Sequence, residues 1–144
     1  MKKEYKEIVI LVAEDDDGHA DLIQEGLKNS GIYNNIIRFT DGEQVVDFFS
    51  QTENKQARQL DKDYLLLLDI KMPKVDGTEV LKKLKSDDEL KDIPVMMLTT
   101  TDDPREIETC YKLGCNIYIT KPVDFTQFSE VLKRLGLFIQ IIKI

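Results

Sequence analysis

The chain has 144 residues, of which 42% are hydrophobic and 33% charged. That length suits one domain with a core large enough to need no disulfide or metal support. The 27 Asp and Glu against 20 Lys and Arg leave a net charge of −7, which disfavours a nucleic-acid binder, while the hydrophobic content argues against disorder. Cys110 and Cys115 share one short stretch and His19 is the only histidine, so neither a disulfide framework nor a Cys/His metal site is indicated. Met1-Lys2-Lys3-Glu4-Tyr5 is charged and the apolar run behind it is short, unlike a signal peptide. No apolar run reaches the roughly 20 residues of a membrane helix. The expectation is a soluble cytoplasmic protein with neither DNA nor a membrane as partner.

Taken in order, Ile8 to Ala13 is continuously apolar, as a strand buried on both faces would be. Ala20, Ile23 and Leu27 recur at helical spacing, with Gly31 as a stop. Ile36-Ile37-Arg38-Phe39 is a mixed, edge-like strand, and Val45, Val46, Phe48 and Phe49 form the face of a second helix. Gln51 to Lys62 is polar and aperiodic, a long loop or an extension of that helix. Tyr64 to Leu68 is a third strand. Asp76-Gly77-Thr78-Glu79 caps a helix carrying Val80, Leu81 and Leu84. Pro94 to Leu98 is a fourth strand. Asp103-Pro104-Arg105-Glu106 opens a helix with Ile107, Cys110 and Tyr111, which stops at Gly114. Ile117-Tyr118-Ile119 is a second edge-like strand. Asp124-Phe125-Thr126-Gln127 opens the last helix, with Val123 and Phe128 placed as a hydrophobic staple and Phe125, Phe128, Val131, Leu132 and Leu135 as its apolar face. Strand and helix alternate five times. The fold class is therefore α/β, a doubly wound five-stranded parallel sheet, in a single domain 1–144. Its core is about 8–136, followed by an apolar extension 137–144.

In such a sheet, ligands bind beyond the carboxyl ends of the strands. Glu14-Asp15-Asp16-Asp17 follows the first strand, Asp69 the third, Thr99-Thr100-Thr101 the fourth, and Thr120-Lys121-Pro122 the fifth. Thr40-Asp41-Gly42, after the second, reads as an ordinary turn. Close carboxylates repel unless a cation joins them, and an oxygen-only donor set suits a hard ion such as Mg²⁺. With a hydroxyl and an ammonium added, the same edge could stabilise a phosphoryl group, and a carboxylate could accept one. Singly, each feature is more often a solvated loop or a turn; their combination is the signal.

Four segments carry a family resemblance: Ile10-Leu11-Val12-Ala13-Glu14-Asp15-Asp16, Leu67 to Gly77 with its Asp-x-x-Met-Pro-x-x-Asp-Gly pattern, Val95 to Thr100, and Tyr118-Ile119-Thr120-Lys121-Pro122. From about Ile8 to Leu137 the chain resembles the receiver domains of two-component response regulators, which have the flavodoxin-like (βα)5 fold. It looks closest to the stand-alone regulators paired with phytochrome-type sensor kinases, on the strength of Glu14 to Ala20, Lys121 to Phe125 and Leu135 to Phe138. The resemblance implies that Asp69 is the phosphoacceptor. It also implies that Glu14, Asp15, Asp69 and the backbone carbonyl of Lys71 hold Mg²⁺. Thr99 and Lys121 would bind the phosphoryl group, Pro73 and Gly77 would shape the loop after Asp69, and Tyr118 would be the aromatic switch that follows Thr99. Lys71 and Thr101 stand where the family tunes phosphate lifetime; neither positions water well, which implies a long-lived phosphorylated state. His19 is expected to be surface structure.

The expected function is a response regulator, phosphorylated by a sensor histidine kinase and signalling to a downstream protein that the sequence does not name. It is no enzyme beyond self-catalysed transfer and hydrolysis. The alternatives are a phosphorylation-independent interaction module and, less favoured, an aspartyl-phosphate-type phosphatase, whose usual second Asp would fall at Lys71. No output module is expected after the last helix, since the chain ends at Ile144. The apolar stretch Leu137 to Ile144 points to a homodimer through that helix and the tail.

Overall fold

A computed structural model describes residues 7–50, 58–59 and 62–142. The polar stretch 51–62 falls largely outside the described residues, as do the last two positions of the apolar tail. Ten elements alternate along the chain: β1 (Glu7–Ala13), α1 (Asp17–Asn29), β2 (Ile36–Phe39), α2 (Gly42–Ser50), β3 (Lys62–Leu68), α3 (Gly77–Lys85), β4 (Val95–Thr99), α4 (Pro104–Leu113), β5 (Ile117–Thr120) and α5 (Phe125–Ile142).

The strands form one parallel sheet in the order β2-β1-β3-β4-β5, the flavodoxin-like order, with the two mixed segments at its edges. Because side chains alternate along a strand, the central strands feed two cores at once. Val9, Leu11, Tyr64, Leu66, Leu68, Val95 and Met97 face α2, α3 and α4, where they meet Val45, Phe48, Phe49, Val80, Leu81, Leu84 and Cys110. Ile10, Val12, Leu65, Leu67, Met96 and Leu98 face α1 and α5, meeting Ile23, Leu27, Phe128, Leu132, Leu135 and Ile139. The strand order reverses at β1, so β1 and β3 flank the crevice that opens at the carboxyl edge.

Helix starts follow the capping chemistry. Asp76 accepts from the Glu79 N–H at 3.0 Å, Asp103 from Arg105 at 2.9 Å and Asp124 from Thr126 at 2.7 Å. Asp41 is more than a turn residue: its carboxylate accepts from the Gln44 N–H at 2.8 Å, and the Gln44 amide oxygen accepts from the Thr40 N–H at 2.8 Å, closing a reciprocal cap on α2. The staple expected at α5 is absent. Val123 is fully exposed and Phe125 is 64% exposed, at the edge of the sheet where α5 begins. Phe128 is buried without a partner at Val123. Tyr111 is also half-exposed rather than in the core; its hydroxyl instead accepts from the Tyr118 N–H at 3.0 Å. Leu137 to Ile142 continues α5 without a break. Its inward positions bury Ile139, and Gln140 donates to the Ser30 carbonyl at the end of α1.

Candidate functional site

The sheet ladder carries on past the strands and fixes the site residues by their backbones. The Glu14 N–H donates to the Phe39 carbonyl at 3.0 Å, Asp69 to Ala13 at 3.1 Å, and Lys121 to Thr99 at 2.7 Å. Each functional side chain thus leaves a backbone already tied to the neighbouring strand, with little freedom to drift. Gly77 closes the loop behind Asp69. Its N–H donates to the Ile70 carbonyl at 2.7 Å, and a Cβ there would lie 2.1 Å from the Asp69 carbonyl oxygen, so only glycine permits this approach. Lys74, in the same loop, holds a left-handed φ of 69°.

Three acids and one ammonium meet at this edge. Glu14, Asp15 and Asp69 each present an oxygen within 4.8 Å of the others. Glu14 and Asp69 are buried, while Asp15 is exposed at the rim. The Lys121 side chain is also buried; its ammonium pairs with Glu14 Oε1 and lies 3.2 Å from Asp69 Oδ2. Burial pushes the Glu14 carboxyl up from 4.5 to about 7; the Asp69 charge adds to this, while Lys121 and the Asp16 N–H oppose it. Asp69 Oδ1 is buried and has no hydrogen bond among the described residues. A buried acceptor with nothing to accept from is a site for an electropositive group. Oxygen donors alone, crowded and incompletely neutralised, fit a hard divalent cation, and these acids would hold it.

Around this centre, Thr99 is fully buried at the end of β4, its hydroxyl 3.5 Å from the Thr101 N–H. Tyr118 is half-buried on β5, and its hydroxyl donates to the Thr101 carbonyl at 2.6 Å, tying the expected switch residue to the loop that follows Thr99. The Lys71 side chain is exposed.

Two participants escaped the sequence reading. Arg38, from the middle of β2, donates Nε and Nη2 to the Glu14 carbonyl at 3.0 and 2.9 Å and Nη1 to Asp17 at 2.7 Å. His19, expected as surface structure, instead turns its Nδ1 to 3.2 Å from the Lys121 ammonium. A solitary arginine in an edge strand carries no spacing signal. For His19 the one available signal was its place in the first turn after the acidic run, at the crevice end of α1.

Residues 10–133 match the response regulator receiver domain, and the chain belongs to that family of signalling proteins. Within the family, its similar relatives include Rcp1 and RcpA. Response regulator Rcp1 of Synechocystis is 38% identical over 130 residues, which cover 90% of this chain and 87% of that protein. The crystal structure of the Mn²⁺-bound form of Rcp1 superposes with a TM-score of 0.82 at 34% identity, covering 90% of this chain and 92% of that one. The phosphorylated cyanobacterial phytochrome response regulator RcpA superposes equally well, at 0.82 and 36% identity, covering 94% of both chains. The acidic cluster here thus fits the divalent-metal site of receiver domains. Among the described residues no helix is long and apolar enough to cross a membrane.

Proposed function

We propose that Asp69 accepts a phosphoryl group from a sensor histidine kinase in a Mg²⁺-dependent reaction, and that the resulting charge switches the protein toward a downstream partner. The observation that carries this reading is the Lys121 ammonium set between Glu14 and Asp69, beside an Asp69 oxygen with no bond of its own. In the transfer, a carboxylate oxygen of Asp69 forms a bond to phosphorus as the donor's P–N bond breaks. The electron pair of that bond returns to an imidazole protonated on its other nitrogen, which leaves neutral. Mg²⁺, held by Glu14, Asp15, Asp69 and the Lys71 carbonyl, would supply compensation for charge on the phosphoryl oxygens. Lys121 pairs with the same oxygens, and Thr99 donates its hydroxyl to one of them.

The modified side chain gains close to one further negative charge over the carboxylate it replaces. Thr99 moves toward it, the Tyr118 hydroxyl leaves the Thr101 carbonyl, and the ring turns inward, repacking the face of α4, β5 and α5. The site belongs in the cytoplasm, where such kinases present their phosphohistidines. A phytochrome-type sensor is the proposed donor, because relatives of this chain are described as phytochrome response regulators. Leu137, Phe138 and Ile141 lie 51%, 40% and 69% exposed on the outer side of α5, and we assign this stripe to a homodimer.

Acetyl phosphate with Mg²⁺, followed by intact-mass detection, tests the chemistry. The wild type is expected to gain one phosphoryl group, and Asp69→Asn or chelation of the metal to abolish the gain. No gain in the wild type would favour the phosphorylation-independent module. Steady turnover of a small phosphoester would favour the phosphatase. Light scattering at micromolar protein tests the dimer, and a monomer in both phosphorylation states would overturn it.

A further inference from the structure

The Lys121 ammonium has three hydrogens, and the structure supplies three acceptors: Glu14 Oε1, Asp69 Oδ2 at 3.2 Å and His19 Nδ1 at 3.2 Å. The first two are the anions that a divalent cation also seeks. The third is a ring nitrogen from a different element, the first turn of α1. A ring nitrogen facing an ammonium must offer its lone pair, which assigns the ring hydrogen to Nε2. The ring cannot swing freely. The residue's backbone N–H donates to Asp16 Oδ1 at 2.9 Å, and the ring packs at a tilt against Phe128 of α5, centroids 5.7 Å apart at 45°.

We propose that His19 is a positioning residue that holds the Lys121 ammonium over Asp69 through Nδ1. When a cation draws Glu14 away, Lys121 loses an anionic partner. The imidazole then keeps the ammonium in place without competing for its charge, so that the charge is left for the incoming phosphoryl oxygens. A third carboxylate at this position would hold the lysine more tightly and spend that charge. The inference rests on the reading of Asp69 as phosphoacceptor.

Two substitutions separate the hydrogen bond from the packing. His19→Phe keeps a ring against Phe128 but offers no acceptor. His19→Gln offers an amide oxygen but no ring. With acetyl phosphate and Mg²⁺, His19→Phe is expected to lower the phosphorylation rate constant about tenfold, the loss expected when one hydrogen bond to a charged group is removed. Its melting temperature is expected to stay near that of the wild type, and His19→Gln to recover most of the rate. Imidazole ¹⁵N shifts of the metal-free wild type are expected to show the hydrogen on Nε2 and an unprotonated, hydrogen-bonded Nδ1. A wild-type rate in His19→Phe, equal slowing in both variants, or a hydrogen on Nδ1 would each overturn the proposal. If the wild type takes up no phosphate, the reading of Asp69 fails instead, and the ¹⁵N measurement still decides whether His19 holds Lys121.

Discussion

Arg38 reaches across from β2 to a backbone oxygen as well as to a carboxylate. Its two hydrogen bonds to the Glu14 carbonyl and one to Asp17 use the planar fork of the guanidinium, with the side chain only 22% exposed. A lysine has the charge but not the fork. Arg38→Lys is therefore expected to loosen the Glu14–Asp15 turn and weaken divalent-cation binding about tenfold, as when a ligand's supporting partner is lost elsewhere. Calorimetric titration with Mg²⁺ would show it, and unchanged affinity would remove Arg38 from the site. This is also where sequence reading stops at the residue scale. Glu14, Asp69, Thr99 and Lys121 were legible because strand ends in a parallel sheet face one edge. Arg38 and His19 were not, because their roles depend on side chains crossing between elements, and no spacing along the chain encodes that.

The elements themselves were readable where burial is two-sided. β1, β3 and β4 are continuously apolar because both faces are covered, and this fixed their central places in the sheet. The start of α5 was misread for the converse reason: Val123 and Phe128 have the spacing of a staple, but at the edge of the sheet Val123 is left fully exposed while Phe128 is buried. Nor does composition reveal how closely α1 and α5 lie. A Cβ on Gly136 would sit 2.4 Å from Ser30 Cβ, and one on Gly26 would sit 2.8 Å from Leu132 Cβ. Both glycines are helical, where glycine is otherwise unfavourable, so close packing is what they provide. Gly136→Ala gains helix propensity but must push the two helices apart. The clash is expected to win, destabilising the protein by about 1–3 kcal/mol in urea unfolding. An alanine variant as stable as the wild type would show that the helices separate freely there.

For the whole molecule, alkaline pH is a measurable weakness. Burial pushes the Cys110 thiol from its usual 9.0 up to about 11, and the Tyr118 phenol from 10.0 up to about 12. The native state then keeps protons that the unfolded chain gives up. Stability from these two groups is intact below pH 9 and falls as pH rises from 9 to 12. Tyr118→Phe is expected to flatten the part above pH 10, as followed by thermal unfolding across that range; an identical decline in the variant would assign the loss to other groups. By the same protection, the Cys110 thiol, fully buried, should resist iodoacetamide at pH 8 until the protein is denatured.

Lys121 meets Asp69 across 52 positions of the chain and Glu14 across 107. No fragment that omits β1, β3 or β5 can bring these three together, and closing loops of that length is late, costly work for a refolding polypeptide. Competence to be labelled by a phosphodonor should accordingly lag behind the return of helical circular dichroism, making the chemistry itself a reporter that the last strand has docked.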